Sequence, residues 1–320
     1  MRPMELRPRT VGEILDLAFK LYTSHIRKLL IIAAVVFIPI GIIQVFVTSG
    51  TDVDVAGLIG QLATAAQDGA IPPDLANTIA GLAVIELINF LASLFVIGAS
   101  MQLFGSVAAQ QNTDLTAALR FGVDESPRIC LTAVLMFVGR YGAIISLGTI
   151  FGVLAGIGGS TIGVLAGLLV QAWLWVTWQV SIPVLLFERE SPGQALSRSH
   201  RLVTQRFWPV AGTAILALIV ATVVRQLIAT VLAVVAIVPM ALNAADTGSA
   251  GGNVFGVSVL AGSVASIVIV PFLAAVAVAL YFDLRVRVEG FDLETLARQS
   301  SNLDIPPARN PRPDDTLGLD

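Results

Sequence analysis

Six long apolar runs are the feature of this sequence that most constrains its fold. We predict spans at residues 29–47, 79–107, 129–157, 161–187, 209–242 and 254–282. A helix needs about 20 apolar residues to cross the hydrocarbon core of a bilayer, which is about 30 Å thick. The sequence therefore predicts an all-α, polytopic membrane protein with six transmembrane helices. Only 13% of the residues are charged, which excludes a soluble enzyme, a secreted disulfide scaffold and a nucleic-acid-binding protein, because soluble proteins are about one quarter charged.

The distribution of basic residues predicts how the six spans are oriented. The chain has 19 Lys and Arg residues, and only Arg140 and Arg225 lie inside spans. The others lie in the N-terminal segment, in the links that precede spans three and five, and after span six. The links 48–78, 158–160 and 243–253 contain none. Because basic residues are enriched in cytoplasmic segments, we expect both termini to be cytoplasmic.

The segments that precede spans one, three and five share a pattern. They contain, in turn, Thr10 and Glu13, Thr113 and Thr116, and Ser191 and Gln194. Ser or Thr followed three residues later by Glu or Gln forms a capping box, and Thr116 makes the second copy the weaker one. Each segment favours an amphipathic helix in the cytoplasmic interface. We therefore predict a pseudo-threefold repeat of one surface helix plus two spans, although capped polar helices that simply recur would give the same pattern.

The repeat also predicts how the chain is divided. Residues 1–290 are expected to form a single membrane domain. Residues 291–320 are expected to form a cytoplasmic tail that begins with a short helix at 293–298. The tail becomes proline-rich and polar from Ile305 onward, which is typical of disorder.

Glycines recur every fourth residue on both sides of the link between spans three and four. They are Gly148, Gly152 and Gly156 in span three, and Gly159, Gly163 and Gly167 in span four. A spacing of four places each trio on one helix face, where glycine allows two backbones to approach closely. The pattern predicts a tightly packed antiparallel hairpin, to which we assign no chemistry.

Polar side chains inside the apolar runs are the candidates for a functional site. They are Glu86, Asn89, Arg140, Gln171, Arg225 and Gln226. An arginine at the centre of a span costs about 2.5–3.5 kcal/mol, so each arginine is expected to face the bundle interior and to have a partner. In a structural interpretation, Glu86 pairs with one arginine while the other bonds backbone carbonyls or extends to the interface. In a functional interpretation, the unpaired arginine binds an anion, such as a phospholipid headgroup.

The sequence lacks the residues that common metal sites and catalytic motifs require. Cys130 is the only cysteine, and His25 and His200 both lie outside the spans, so we expect no metal site and no cofactor. The sequence contains no glycine-rich phosphate loop, no His-Glu-x-x-His and no Gly-x-Ser-x-Gly motif. The carboxylates at the cytoplasmic span ends are Glu188, Glu190 and Asp283, and Arg189 and Arg285 flank them in the sequence. We expect them to form interface salt bridges. These observations argue against an enzyme.

Three segments carry a resemblance to a known family. They are LRPRTVGEILDLAF at 6–19, PVLLFE at 183–188 with SPGQALSRS at 191–199 and RFW at 206–208, and YFDLRVRVEGFDLE at 281–294. The chain resembles the membrane domain of the glycerophosphoryl diester phosphodiesterase membrane-domain family, and the third segment is similar to its actinobacterial members. The resemblance implies a stand-alone membrane domain without the catalytic domain. Lys20 and Lys28 are the only lysines, which is typical of a high-GC bacterium and favours the bacterial inner (plasma) membrane.

The sequence thus favours a non-enzymatic, multi-pass membrane protein in contact with membrane lipids. Its leading interpretation is a protein that binds or handles a lipid or lipid-derived anion, or that scaffolds a membrane or cytoplasmic protein partner. The alternative is a transporter of a small solute or ion that uses Glu86, Arg140 and Arg225. A membrane enzyme is least favoured, and a nucleic-acid partner is not expected.

Overall fold

The structure, a computed structural model, describes residues 10–48, 60–61, 72–108, 115–247 and 254–289. Within these residues the regular elements are helices: α1 (Val11–Ser24), α2 (Ile26–Thr48), α3 (Pro73–Ala108), α4 (Leu115–Thr177), α5 (Ser181–Phe187), α6 (Pro192–Thr204), α7 (Phe207–Thr247) and α8 (Val254–Glu289). The predicted tail at 291–320 lies outside the described residues.

Six helical segments of the described chain are long and apolar enough to cross a membrane, which confirms the polytopic all-α fold. They are Ile26–Phe46, Leu75–Ser106, Leu115–Gly156, Gly159–Phe187, Phe207–Leu232 and Val259–Glu289. The third span and most of the fourth belong to α4, which turns back on itself where Ala155 has φ −138° and Gly156 has φ +66°. Glycine adopts a positive φ without a Cβ clash, and Gly156 therefore forms the turn between spans three and four.

The two spans of α4 pack closely along their glycines. A Cβ added to Gly167 would lie 2.6 Å from the Cα of Ile144, and one added to Gly163 would clash with the carbonyl oxygen of Leu147. The other glycines that face the opposite span are Gly148, Gly152 and Gly159. Gly156 differs from the predicted pattern, because nothing lies within 4 Å of its Cβ position. It bends the chain instead of packing across the hairpin.

Two of the three expected surface helices are separate elements with the expected caps. In α1 the backbone N–H of Thr10 donates to Glu13 Oε2 at 2.7 Å. In α6 the backbone N–H of Ser191 donates to Gln194 Oε1 at 3.2 Å. Each helix buries one face against the bundle; the buried residues include Ile14, Ala18 and Leu21 of α1, and Ala195, Leu202 and Val203 of α6. These contacts attach both helices to the same end of the bundle.

The second unit departs from the repeat, because its surface segment is continuous with span three. The helix α4 begins at Leu115 and passes through Pro127 without a break, while Thr113 lies outside the described residues. Proline lacks the N–H that would bond to the carbonyl of Val123. The hydroxyl of Ser126 donates to that carbonyl at 2.7 Å instead, which explains how the helix continues. The predicted surface helix of the second unit is therefore the first part of a longer helix.

The last helix, α8, lies at the centre of the bundle. In its most apolar stretch 61% of residues are buried, against 33% or less in the other five spans. It packs against α1, α2, α3 and α7. Its buried face is rich in alanine, including Ala261, Ala265, Ala274, Ala275 and Ala279, and such small residues let neighbouring helices approach closely.

Candidate functional site

The predicted polar residues do not form one cluster. Glu86, Arg225 and Gln226 are exposed on the helix surface, whereas Asn89, Arg140 and Gln171 are half-buried. Among the described residues, no ion pair within 4.0 Å joins Glu86 to an arginine. The pairing expected for Glu86 in the structural interpretation is therefore not made in the described part of the chain.

These polar residues also lie at different depths in the membrane. At 1.5 Å per residue, Arg225 lies about 27 Å along α7 from Phe207, and Glu86 lies about 30 Å along α3 from Ser106. Phe207 and Ser106 lie at the arginine-rich end of the bundle. Arg225 and Glu86 are therefore near the opposite boundary, the far boundary, of a hydrocarbon core about 30 Å thick. Arg140 lies about 18 Å along α4 from Arg128, which places it well inside the membrane.

Arg140 is the strongest of the predicted candidates. Its guanidinium carbon lies 6.0 Å from the centre of the Trp178 ring, in the geometry of a cation–π contact. Its Nε atom is buried and, among the described residues, has no hydrogen-bond acceptor. Gly139 allows this arrangement, because a Cβ there would meet the Trp178 ring at 2.5 Å. Arg140 is thus a cation deep in the membrane that an aromatic ring contacts and that no described carboxylate neutralises.

The Trp178 ring is positioned by a break in span four. Residues 178–180 form a turn between α4 and α5. The backbone N–H and the hydroxyl of Ser181 donate to the Trp178 carbonyl at 3.3 and 2.8 Å. The hydroxyl of Ser199 in α6 donates to the Thr177 carbonyl at 2.8 Å. Pro183 indicates a kink in this span from the sequence alone, because a proline cannot donate to the residue four positions before it.

The other tryptophans of span four do not share this site. Trp173 is exposed and meets the ring of His200 edge-on, with 4.9 Å between ring centres. Trp175 packs against the main apolar core. The three rings therefore have separate roles and do not form one aromatic wall.

A buried, hydrogen-bonded glutamine side chain near the far boundary was not predicted from the sequence. The Gln44 side chain is 1% exposed. Its Oε1 accepts a hydrogen bond from the Ser263 hydroxyl at 3.1 Å, and its Nε2 donates to the Ile85 carbonyl at 3.5 Å. This link joins α2, α3 and α8. The one available signal was the presence of a glutamine in an otherwise apolar run.

We call the arginine-rich end of the bundle the basic face; its arginines include Arg128, Arg198, Arg206, Arg285 and Arg287. A salt-bridge cluster on this face joins α5, α6 and α8. Arg198 Nε donates to Glu188 Oε2 at 3.0 Å, and Arg198 also pairs with Glu289. The Tyr281 hydroxyl donates to Glu188 Oε1 at 3.0 Å, while Arg285 Nε donates to Glu289 Oε2 at 3.1 Å.

The cluster differs from the expected pairing with arginines that are adjacent in sequence. Glu188 pairs with Arg198 of α6, and Asp283 pairs with Arg287 at 2.9 Å. Burial by itself lowers the pKa of Arg198, but its hydrogen bonds and charge interactions with Glu188 and Glu289 outweigh burial and raise that pKa. The arginine therefore stays charged, and the cluster acts as a structural clamp on α6.

The described residues contain no group of three or more His, Cys, Asp and Glu side chains that could hold a metal ion. Comparison of the whole chain with protein-family models, with characterised proteins and with solved structures finds no match.

Proposed function

We propose that this multi-pass membrane protein binds a lipid or lipid-derived anion within the membrane, and that Arg140 is the group that binds it. The observation that carries the proposal is the buried Nε of Arg140, which has no acceptor among the described residues. The Trp178 ring contacts the guanidinium but has no oxygen that could accept a hydrogen bond from Nε. An anionic oxygen would satisfy this donor and neutralise the charge at the same time.

The chemistry of the guanidinium supports an oxyanion as the ligand. Nε and a terminal nitrogen form one of the edges with which arginine binds phosphate or carboxylate through two parallel hydrogen bonds. A lone cation inside the membrane costs about 2.5–3.5 kcal/mol, and an anionic ligand offsets that cost. Membership of the glycerophosphoryl diester phosphodiesterase membrane-domain family, which we propose from the sequence motifs alone, would agree with a lipid-derived ligand. The proposal assigns binding to this protein and no catalysis.

The proposal predicts a specific loss of bound lipid in Arg140→Gln. Native mass spectrometry of the delipidated protein with added phosphatidylglycerol is expected to show one bound lipid fewer in this variant than in wild type. Because a hydrogen bond to a charged group contributes about 1.5–3 kcal/mol, affinity at this site is expected to fall at least about tenfold. Lipid-free Arg140→Gln is expected to unfold at a temperature no lower than wild type, since an uncompensated charge is removed.

Arg120→Gln is the matched control, because Arg120 lies on the same helix with 86% of its side chain exposed. This variant is expected to retain the wild-type number of bound lipids. Equal lipid binding by Arg140→Gln and wild type, or the absence of bound lipid from both, would contradict the proposal. A large loss of stability in lipid-free Arg140→Gln would identify the arginine as structural.

The transporter interpretation receives less support from the geometry. It needs Glu86, Arg140 and Arg225 on one path, but Glu86 and Arg225 are exposed near the far boundary, and Glu86 pairs with neither arginine in the described residues. Arg225 instead lies beside Gly262 of α8, with its terminal nitrogen 3.7 Å from the position of an added Cβ.

We further propose that the basic face is cytoplasmic, in a bacterial inner membrane. In a Cys130→Ser background, Ser197→Cys places an exposed thiol on α6, and Asn77→Cys places one at the opposite end of the bundle. In intact spheroplasts, a membrane-impermeant maleimide is expected to label Asn77→Cys and to leave Ser197→Cys unlabelled until the membrane is permeabilised. The reverse labelling pattern would overturn this orientation.

A further inference from the structure

A small amphipathic pocket on the basic face is independent of Arg140. It has a volume of about 200 Å³ and lies between the start of α1, the start of α7 and the end of α8. Its walls are mostly apolar and include Ile14, Val210 and Leu284. Its polar lining includes Arg206, Asp283 and Arg287. The pocket therefore combines a hydrophobic wall with charged groups, as an amphiphilic ligand requires.

The charges of the pocket leave one arginine available to a ligand. Asp283 is only 5% exposed, and Arg287 Nε donates to its Oδ2 at 2.9 Å, so this pair cancels. The Arg206 side chain is exposed and forms no ion pair with any described residue. Among the described residues that line the pocket, one net positive charge therefore remains, and it lies on the exposed side chain of Arg206.

The neighbours of Arg206 place this charge at the membrane boundary. Span five begins at Phe207, directly after Arg206. The next residue, Trp208, is 81% exposed and meets the Phe207 ring edge-on at 5.5 Å. Exposed tryptophan at a span end is typical of the headgroup region of a bilayer. Arg206 is therefore expected to lie at the level of the lipid phosphates, at the start of span five.

We propose that this pocket binds the phosphate of a phospholipid headgroup from the leaflet at the basic face. Small-molecule sites usually have volumes of about 300–1,000 Å³, so the pocket holds a headgroup phosphate and its first attached carbons, and the acyl chains remain in the bilayer. Arg206 forms the charged hydrogen bonds to phosphate. Ile14, Val210 and Leu284 contact the apolar part of the headgroup region. This site differs from the one at Arg140 in depth and in every residue.

The number of lipids bound by each variant distinguishes the site at Arg206 from the site at Arg140. Delipidated full-length protein is titrated with dioctanoyl phosphatidylglycerol and examined by native mass spectrometry. Wild type is expected to bind two lipids, Arg206→Gln and Arg140→Gln one each, and the double variant none at the same concentration. The site that remains in Arg206→Gln is expected to keep its wild-type affinity, while affinity at the pocket falls at least about tenfold.

Arg201→Gln is the matched control, because Arg201 is also exposed on the basic face but does not line the pocket. It is expected to bind two lipids. Equal losses of bound lipid in Arg201→Gln and Arg206→Gln would show only a general effect of surface charge and would contradict the proposed binding site. Two bound lipids in Arg206→Gln would also overturn it, whatever the result for Arg140→Gln. Glycerol 3-phosphate is expected not to displace the lipid; displacement at equal concentration would identify a soluble phosphate ester as the ligand and refute the lipid.

Discussion

Replacing Gly163 with leucine is expected to cause a large loss of stability in the span three–four hairpin. A Cβ at this position would already clash with the backbone carbonyl of Leu147, and a backbone atom cannot move aside as a flexible side chain can. Overpacking usually costs about 1–3 kcal/mol, and this substitution is expected to reach or exceed the upper value. Thermal unfolding of the purified protein in detergent, with the yield of monodisperse protein, measures the effect.

Gly142 provides the control for this prediction. It lies in the same helix, and nothing lies within 4 Å of its Cβ position. Gly142→Leu is therefore expected to unfold within a few degrees of wild type. If Gly163→Leu and Gly142→Leu unfold at the same temperature, the two spans are not packed along their glycines as the structure describes.

Removing the Arg198 guanidinium is expected to release α6 from the basic face. Arg198→Leu leaves the carboxylates of Glu188 and Glu289 without their shared cation. Loss of one partner from a fully buried ion pair costs about 3–5 kcal/mol. The side chains here are 16–26% exposed, so water compensates in part and we expect about 2 kcal/mol. Hydrogen exchange is expected to become faster across α6, where the Ser199 hydroxyl anchors the helix to Thr177.

Two variants test whether this effect belongs to the cluster. Arg201→Leu removes an exposed arginine of the same helix and is expected to leave the unfolding temperature and the exchange of α6 unchanged. Arg198→Lys keeps the positive charge but cannot bind Glu188 and Glu289 at the same time as the guanidinium does, so intermediate stability is expected. Wild-type protection of α6 in Arg198→Leu would show that its apolar face alone, including Ala195 and Leu202, holds the helix.

Much of the fold was predictable because it depends on local sequence. The six spans follow from uninterrupted apolar runs, and the caps at Thr10 and Ser191 follow from residues only three positions apart. Local patterns were less reliable where a single side chain compensates for a helix breaker. Pro127 favours a boundary between a surface helix and span three, but the Ser126 hydroxyl satisfies the carbonyl that the proline leaves.

The candidate site was predictable in part. The sequence identified Arg140 as an unusual charge within a span, since hydropathy alone reveals it. It did not reveal that Trp178 contacts the guanidinium, because that contact depends on the turn at residues 178–180 and on the packing of span four against Gly139. The sequence did not identify Arg206 as a ligand-binding residue, because basic residues are common at span ends and only the tertiary structure shows the pocket beside it.

The sequence by itself determined the class of this protein, the number of its spans and the one-sided distribution of its arginines, because these properties depend on how each segment partitions between water and lipid. The tertiary structure decided which helix is central, which polar groups meet and which remain without partners. Hydropathy places α8 among six similar spans, whereas its alanine-rich faces bury it against neighbouring helices that include α1, α2, α3 and α7. Contacts such as Gln44 with Ser263, or Arg198 with Glu289, join residues far apart in the chain, and they depend on the rotation of each helix about its axis.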